Sequence, residues 1–91
     1  MQLPREMTIG NTVYAIYTCH KPNAKYYGNC YYDLKTIEIN TAAKPAEIRD
    51  TLWHEVTHAI LKDMGHKLHA NEEFVTAFSN RLTKAIDSAR F

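Results

Sequence analysis

The amino-acid sequence predicts an α+β fold in which a small antiparallel sheet of about three strands precedes two helices. Strand-forming residues fill the first forty positions, helical periodicity begins near Pro45, and the two patterns do not alternate along the chain. Strands first and helices afterwards are typical of α+β domains. A chain of 91 residues has room for one core, so we expect residues 1–91 to form a single domain.

The segment 1–40 is predicted to form the sheet, because Tyr, Ile, Val and Thr are frequent in it. We predict extended structure at residues 7–9 and 12–19, interrupted at Gly10, and then at residues 26–32 and 36–40. The last two segments are joined by the turn 33–35 and should form a hairpin, since Ile37 and Ile39 alternate with polar neighbours.

Two helices are predicted to follow. The first covers 45–64, with Pro45 in its first turn and Gly65 as a left-handed stop, and the second covers 71–89, with Asn71 as its cap. Apolar residues recur in the first helix at spacings of three and four, at Ile48, Leu52, Trp53, Val56, Ala59 and Ile60. The predicted apolar stripe of the second helix consists of Phe74, Val75, Phe78, Leu82, Ala85 and Ile86.

Composition and charge exclude several classes of partner. A net charge of +1 gives neither the positive field that nucleic acid requires nor a polybasic membrane patch. No apolar run approaches the roughly 20 residues that cross a bilayer, and the first residues do not resemble a secretory signal. We therefore expect a cytoplasmic monomer that binds neither nucleic acid nor membrane. Cys19 and Cys30 are too far apart for a CxxC pair and are predicted to be ordinary half-buried thiols.

The chemistry is concentrated in His54-Glu55-Val56-Thr57-His58, an HExxH motif in the first helix. At 100° per residue the two histidines lie about 40° apart on the helix, so both imidazoles can reach one zinc ion. The apolar residues occupy the opposite arc, which leaves the histidines facing a cleft. Glu55 lies between the two arcs and is predicted to be the general base that takes a proton from a metal-bound water.

A catalytic zinc site usually has three protein ligands, and the third is sought after the motif. The candidates are Glu72, Glu73, His66 and His69. Glu72 is favoured, because it lies about 100° from the centre of the predicted stripe whereas Glu73 lies about 160° away, toward solvent. Met64 stands where a metzincin would need its third histidine, so that family is excluded.

The order of these motifs resembles small metallopeptidases of the gluzincin type, above all the phage and mobile-element proteins related to ImmA/IrrE. The resemblance covers about residues 26–86 and includes a tyrosine-rich strand, the HExxH helix and the segment that follows Glu72. In that family a glutamate is followed by a small residue at offset seven and a leucine at offset ten, as Ser79 and Leu82 follow Glu72 here. The pair Val75-Thr76 departs from the family's Ala-Asn.

The resemblance implies a minimal zincin-like domain that hydrolyses peptide bonds in a bacterial or phage-infected cell. Zn²⁺ would be held by His54, His58 and Glu72, with Glu55 as the base, and a peptide or protein substrate would lie along the edge strand 37–40. One of Tyr26, Tyr27, Tyr31 and Tyr32 could stabilise the oxyanion, and the sequence does not choose among them. The alternative is a non-catalytic module that zinc stabilises and that binds a protein or peptide. The presence of Glu55 favours the enzyme, because a purely structural site has no use for it.

Overall fold

The computed structural model of the chain describes residues 3–91. In that range the elements follow the order β1 (Glu6–Ile9), β2 (Thr12–Cys19), β3 (Gly28–Tyr31), β4 (Thr36–Asn40), α1 (Pro45–Asp63) and α2 (Glu72–Ser88). The predicted α+β class is confirmed, and both helices begin and end within one residue of the predicted bounds. Met1 and Gln2, at the start of the predicted segment 1–40, lie outside the described residues. Neither α1 nor α2 is long and apolar enough to cross a membrane.

The sheet is mixed and has four strands, so the prediction of about three antiparallel strands is wrong. β1 pairs with β2 and β3 with β4 as antiparallel hairpins, but β2 and β4 are parallel neighbours in the order β1-β2-β4-β3. The parallel register sets Ile16 beside Ile37. The two hairpins thereby bury their apolar side chains on one face of the sheet, which local sequence patterns cannot specify.

The predicted edge strand 37–40 is an inner strand. β4 pairs with β2 on one side and with β3 on the other, so its backbone has no open edge. β3 takes an edge position. After β2 the chain forms β3 on the outside of the sheet and then returns as β4, which lies between β2 and β3. The two edge strands are therefore β1 and β3, and β3 has the more extensive contact with α1.

The core lies between α1 and the covered face of the sheet. Its buried members are Ile9, Tyr14, Ile16, Ile37, Ile39, Leu52, Val56 and Ala59. Leu52, Val56 and Ala59 belong to the predicted apolar arc of α1, whereas Ile60 of the same arc is exposed. This packing turns the opposite arc of α1, with the two motif histidines, away from the sheet.

The predicted apolar stripe of α2 is correct at Val75 but wrong at Phe78 and Ile86, whose exposed fractions are 50% and 43%. The buried line of this helix is instead Val75, Ser79 and Thr83. Among the helices and strands of the described residues α2 contacts α1 alone, and small side chains let two helix backbones approach closely. The Thr83 hydroxyl donates to the Ser79 carbonyl at 2.8 Å. This buried hydroxyl therefore has a hydrogen-bond partner at the interface.

Asn40, buried at the end of β4, connects the sheet to two loops. Its amide nitrogen donates to the carbonyls of Lys21 at 2.9 Å and Tyr26 at 3.3 Å. Its side-chain oxygen accepts from the N–H groups of Lys21 at 3.1 Å and Ala42 at 3.0 Å. One side chain thus holds both the loop that precedes β3 and the link that leads into α1.

Replacement of Asn40 by alanine should therefore lower the free energy of unfolding by about 2–4 kcal/mol, because several backbone groups lose a partner worth about 1 kcal/mol each. Urea denaturation measures the change. Asn23→Ala, in an exposed part of the loop between β2 and β3, is the control and should change stability by less than about 0.5 kcal/mol. Equal losses in the two variants would contradict the role given to Asn40.

Candidate metal centre

Two imidazoles from α1 and one carboxylate from α2 converge on a single point. His54 and His58 lie one helical turn apart, and their ring centroids are 5.0 Å from each other. Glu72, the first residue of α2, places Oε2 3.1 Å from Nε2 of His54 and Oε1 2.7 Å from Nε2 of His58. The three residues form a group whose ligand atoms all lie within 4.8 Å of one another and can hold a metal ion.

The donor chemistry of this group fits a divalent cation. Two imidazole nitrogens and a carboxylate oxygen present lone pairs to each other, and lone pairs at these distances repel unless a proton or a metal ion lies between them. A tetrahedral ion with bonds of about 2.0–2.1 Å separates its ligand atoms by roughly 3.3 Å. The separations between the Glu72 oxygens and the two Nε2 atoms, 2.7 and 3.1 Å, are shorter than this value by about 0.6 and 0.2 Å.

The backbone of the link between the helices orients His58. Nδ1 of His58 donates to the carbonyl of His69 at 2.6 Å, which leaves Nε2 as the nitrogen that faces Glu72. The same carbonyl accepts from the hydroxyl of Tyr32 at 3.2 Å, and the Tyr32 and His69 rings meet edge to face at 5.6 Å. Tyr32 thereby connects the end of β3 to the link that fixes the histidine.

Glu55 lies beside the group but is not a member of it. The residue is only 6% exposed, and its burial is the main cause that raises the pKa of its carboxyl. His58 opposes this rise and Glu72 adds to it, and together these effects bring the pKa to about 7. A carboxyl with a pKa near neutrality can both accept and return a proton under physiological conditions. A bound cation would lower that pKa and favour the ionised form.

Gly28 lets the edge strand lie against Glu55. A Cβ at this position would come within 2.6 Å of the Thr51 methyl group, 2.9 Å of the Glu38 carbonyl and 3.3 Å of Cγ of Glu55. Only glycine allows β3 to approach α1 so closely, and this approach covers one side of the Glu55 side chain. An isolated glycine inside a predicted strand is a signal for such close approach, and Gly28 is that signal in this sequence.

A cleft of about 610 Å³ opens over these residues, between β3 on one side and the two helices on the other. Tyr26, Tyr27 and Tyr32 line it, whereas Tyr31 lies on the outward face of β3 and does not. Three of the four candidate tyrosines are thus within the cleft. Burial raises the pKa of Tyr32 to about 12, so its hydroxyl keeps its proton at neutral pH.

The other residues considered as a third ligand lie outside the group. Glu73 is exposed on the next position of α2. His66 accepts from the N–H of Leu68 through Nδ1 at 3.0 Å and stacks on Phe74. His69 contributes its backbone carbonyl rather than its ring, a role that no side-chain pattern could indicate.

Glu72 meets the histidines for a different reason from the predicted one. The predicted angle of Glu72 refers to a stripe centred on Val75, Phe78 and Leu82. In the structure Glu72 extends the buried line of Val75, Ser79 and Thr83, at spacings of three, four and four residues. The face of α2 that packs against α1 therefore carries the carboxylate to the histidines.

Replacement of Glu72 by alanine should weaken zinc binding by more than about a hundredfold, since it removes a carboxylate that lies within 3.1 Å of both histidines. Competition with a chromogenic chelator measures the affinity. Glu73→Ala removes the same side chain from the adjacent exposed position and should bind zinc like the unmodified chain. The opposite order of affinities would overturn the choice of Glu72.

The buried Glu55 carboxyl makes the stability of the metal-free protein depend on pH. Because its pKa rises from 4.5 to about 7 on folding, the folded state holds a proton that the unfolded chain releases, and stability falls as pH rises through this window. Glu55→Gln removes the titrating carboxyl, so the variant should not lose this stability as pH rises. The variant should exceed the unmodified chain by about 3 kcal/mol at pH 8 and match it at pH 4.

Urea denaturation with a chelator present, at both pH values, measures the difference. Glu73→Gln, at an exposed position, should leave the free energy of unfolding nearly unchanged at pH 4 and at pH 8. A Glu55→Gln effect of the same size at both pH values would contradict a raised pKa for this carboxyl.

No family model, no curated protein and no solved structure matches the chain. The geometry and chemistry of the cleft are therefore what supports a function.

Proposed function

We propose that this protein is a zinc-dependent metallopeptidase of zincin-like fold, with His54, His58 and Glu72 as metal ligands and Glu55 as general base. The observation that carries the proposal is the convergence of three side chains that can hold a metal ion, with the buried Glu55 carboxyl beside them in one cleft. Perturbed carboxyls in a cleft mark functional sites more often than structural ones. A site that served stability alone would gain nothing from this carboxyl.

The donor set supports zinc as the ion. Two histidines and one carboxylate are a frequent ligand set of catalytic zinc in hydrolases, with one position open. When bound in such a site, zinc acts as a Lewis acid that polarises a carbonyl and acidifies a water molecule. Zinc also tolerates the mixed nitrogen and oxygen donors found here, whereas magnesium and calcium prefer oxygen ligands alone.

Glu55 accepts the proton of the attacking water and returns it to the leaving amine. Its position on α1, one residue after His54 and three before His58, keeps the carboxylate beside the ion without joining the ligand group. Gly28 and Thr51 cover the side chain on the β3 side and limit its contact with bulk water. Tyr32, and also Tyr26 and Tyr27, lie in the cleft as candidate donors to the developing oxyanion.

The substrate is a peptide or protein segment that adds to the edge strand β3. β3 borders the cleft and pairs with β4 alone, so its outer backbone groups can bond an extended peptide. The inner strand β4 cannot bind a substrate in this way. An added strand at β3 would lie near Glu55, because Gly28 of β3 lies against that side chain.

Glu55→Gln is the decisive variant, because it keeps the shape of the side chain and removes its ability to take a proton. The variant should retain zinc stoichiometrically and cleave a fluorogenic peptide library at least about a hundredfold more slowly than the zinc-loaded unmodified chain. Metal content and cleavage are measured on the same samples. Glu73→Gln, the same change on the exposed surface, should cleave at the unmodified rate.

Equal cleavage by the Glu55→Gln variant and the unmodified chain would exclude Glu55 as the base. A zinc-loaded protein that cleaves no peptide but binds peptides would instead support the non-catalytic module.

A further inference from the structure

Acidic side chains outnumber basic ones in the wall of the cleft. Three acidic residues, Asp50, Glu55 and Glu72, contribute to its wall, and within residues 3–91 no lysine or arginine does. The two charges of a zinc ion are matched by the carboxylates of Glu72 and Glu55. Asp50 is left as an uncompensated negative charge inside the cleft.

Asp50 makes no hydrogen bond or ion pair with any side chain of the described residues. The nearest basic residue along α1, Arg49, is engaged elsewhere, since its guanidinium contacts Asp87 of α2 at 2.9 Å. Lys21 is also committed, because Nζ donates to the Tyr26 hydroxyl at 3.1 Å. The protein thus leaves the Asp50 carboxylate available to a cation from outside.

Asp50 lies close to the residues that can hold the metal ion. It precedes His54 by four residues, so it lies one helical turn away, about 6 Å along the axis of α1. An extended peptide advances about 3.3 Å per residue. A side chain that reaches Asp50 therefore belongs to a residue within about two positions of the cleaved bond.

An exposed aromatic ring lines the same cleft as Asp50. Tyr27 is 52% exposed and directly precedes Gly28, where an added Cβ would come within 2.6 Å of Thr51, the residue after Asp50. Its ring offers a face to an arginine or lysine side chain, which adds a cation–π contribution to the attraction of the carboxylate. One carboxylate with one accessible aromatic ring is a pairing that recognises a guanidinium or ammonium group.

We propose that Asp50 and Tyr27 form a subsite that binds an arginine or lysine side chain of the substrate, within two residues of the bond that is cleaved. This inference rests on the proposed peptidase function and adds the class of substrate: basic peptides over neutral and acidic ones.

The test uses eight-residue peptides of one common sequence that carry arginine, citrulline or glutamate at each of the four central positions in turn. Citrulline has the shape of arginine without its charge. Cleavage is measured with the zinc-loaded chain. Binding is measured by fluorescence anisotropy with the zinc-loaded Glu55→Gln protein, so that no cleavage disturbs the equilibrium.

At one or two positions the arginine peptide should be preferred over the citrulline peptide by about fivefold, both in binding and in kcat/KM. Asp50→Asn should reduce that ratio to nearly one, and Asp50→Lys should make glutamate the preferred residue. Asp33→Asn removes the same charge from the exposed turn between β3 and β4 and should leave the preference unchanged. Tyr27→Ala should reduce the preference for arginine in part.

Cleavage without a preference for arginine, or with a preference that Asp50→Asn does not alter, would overturn the subsite and leave the peptidase function standing. An arginine preference in binding that depends on Asp50, together with no cleavage at all, would refute the peptidase and support the subsite. The absence of both cleavage and charge preference would overturn both.

Discussion

The close packing of α2 against α1 is the constraint on which the site depends. Two of the three side chains that can together hold a metal ion belong to α1 and the third begins α2, so the group exists only while the two helices keep their separation. Val75, Ser79 and Thr83 form that interface, and their small side chains allow the close approach. A larger residue on this line would move Glu72 away from both histidines at once.

The edge strand has a second effect on the same chemistry. Without a side chain on Gly28, β3 approaches α1 closely enough to cover Glu55 and remove it from water. Desolvation then raises the pKa of the carboxyl to about 7, in the range where it can exchange protons. Because β3 is also an edge strand of the sheet, the strand that covers the proposed base is the one to which the proposed peptide substrate would add.

The link between the helices connects these two parts. Its His69 carbonyl accepts hydrogen bonds from His58, on the helix, and from Tyr32, which directly follows the edge strand. A displacement of β3 would therefore change the orientation of His58 as well as the covering of Glu55. Three elements that are distant in sequence thus hold one small cleft, although the chain has only 91 residues.

The sequence by itself determined the α+β class, the bounds of both helices and the convergence of His54 and His58, because these follow from local propensity and from the fixed 100° turn of a helix. It also favoured Glu72, although from an apolar stripe that Phe78 and Ile86 do not form. Only the tertiary structure decided that β2 and β4 are parallel neighbours, that β3 is the edge, and that the His69 carbonyl orients His58. Strand order depends on how the two hairpins bury their apolar faces together, and a backbone carbonyl leaves no trace in residue type, so neither can be derived from local sequence patterns.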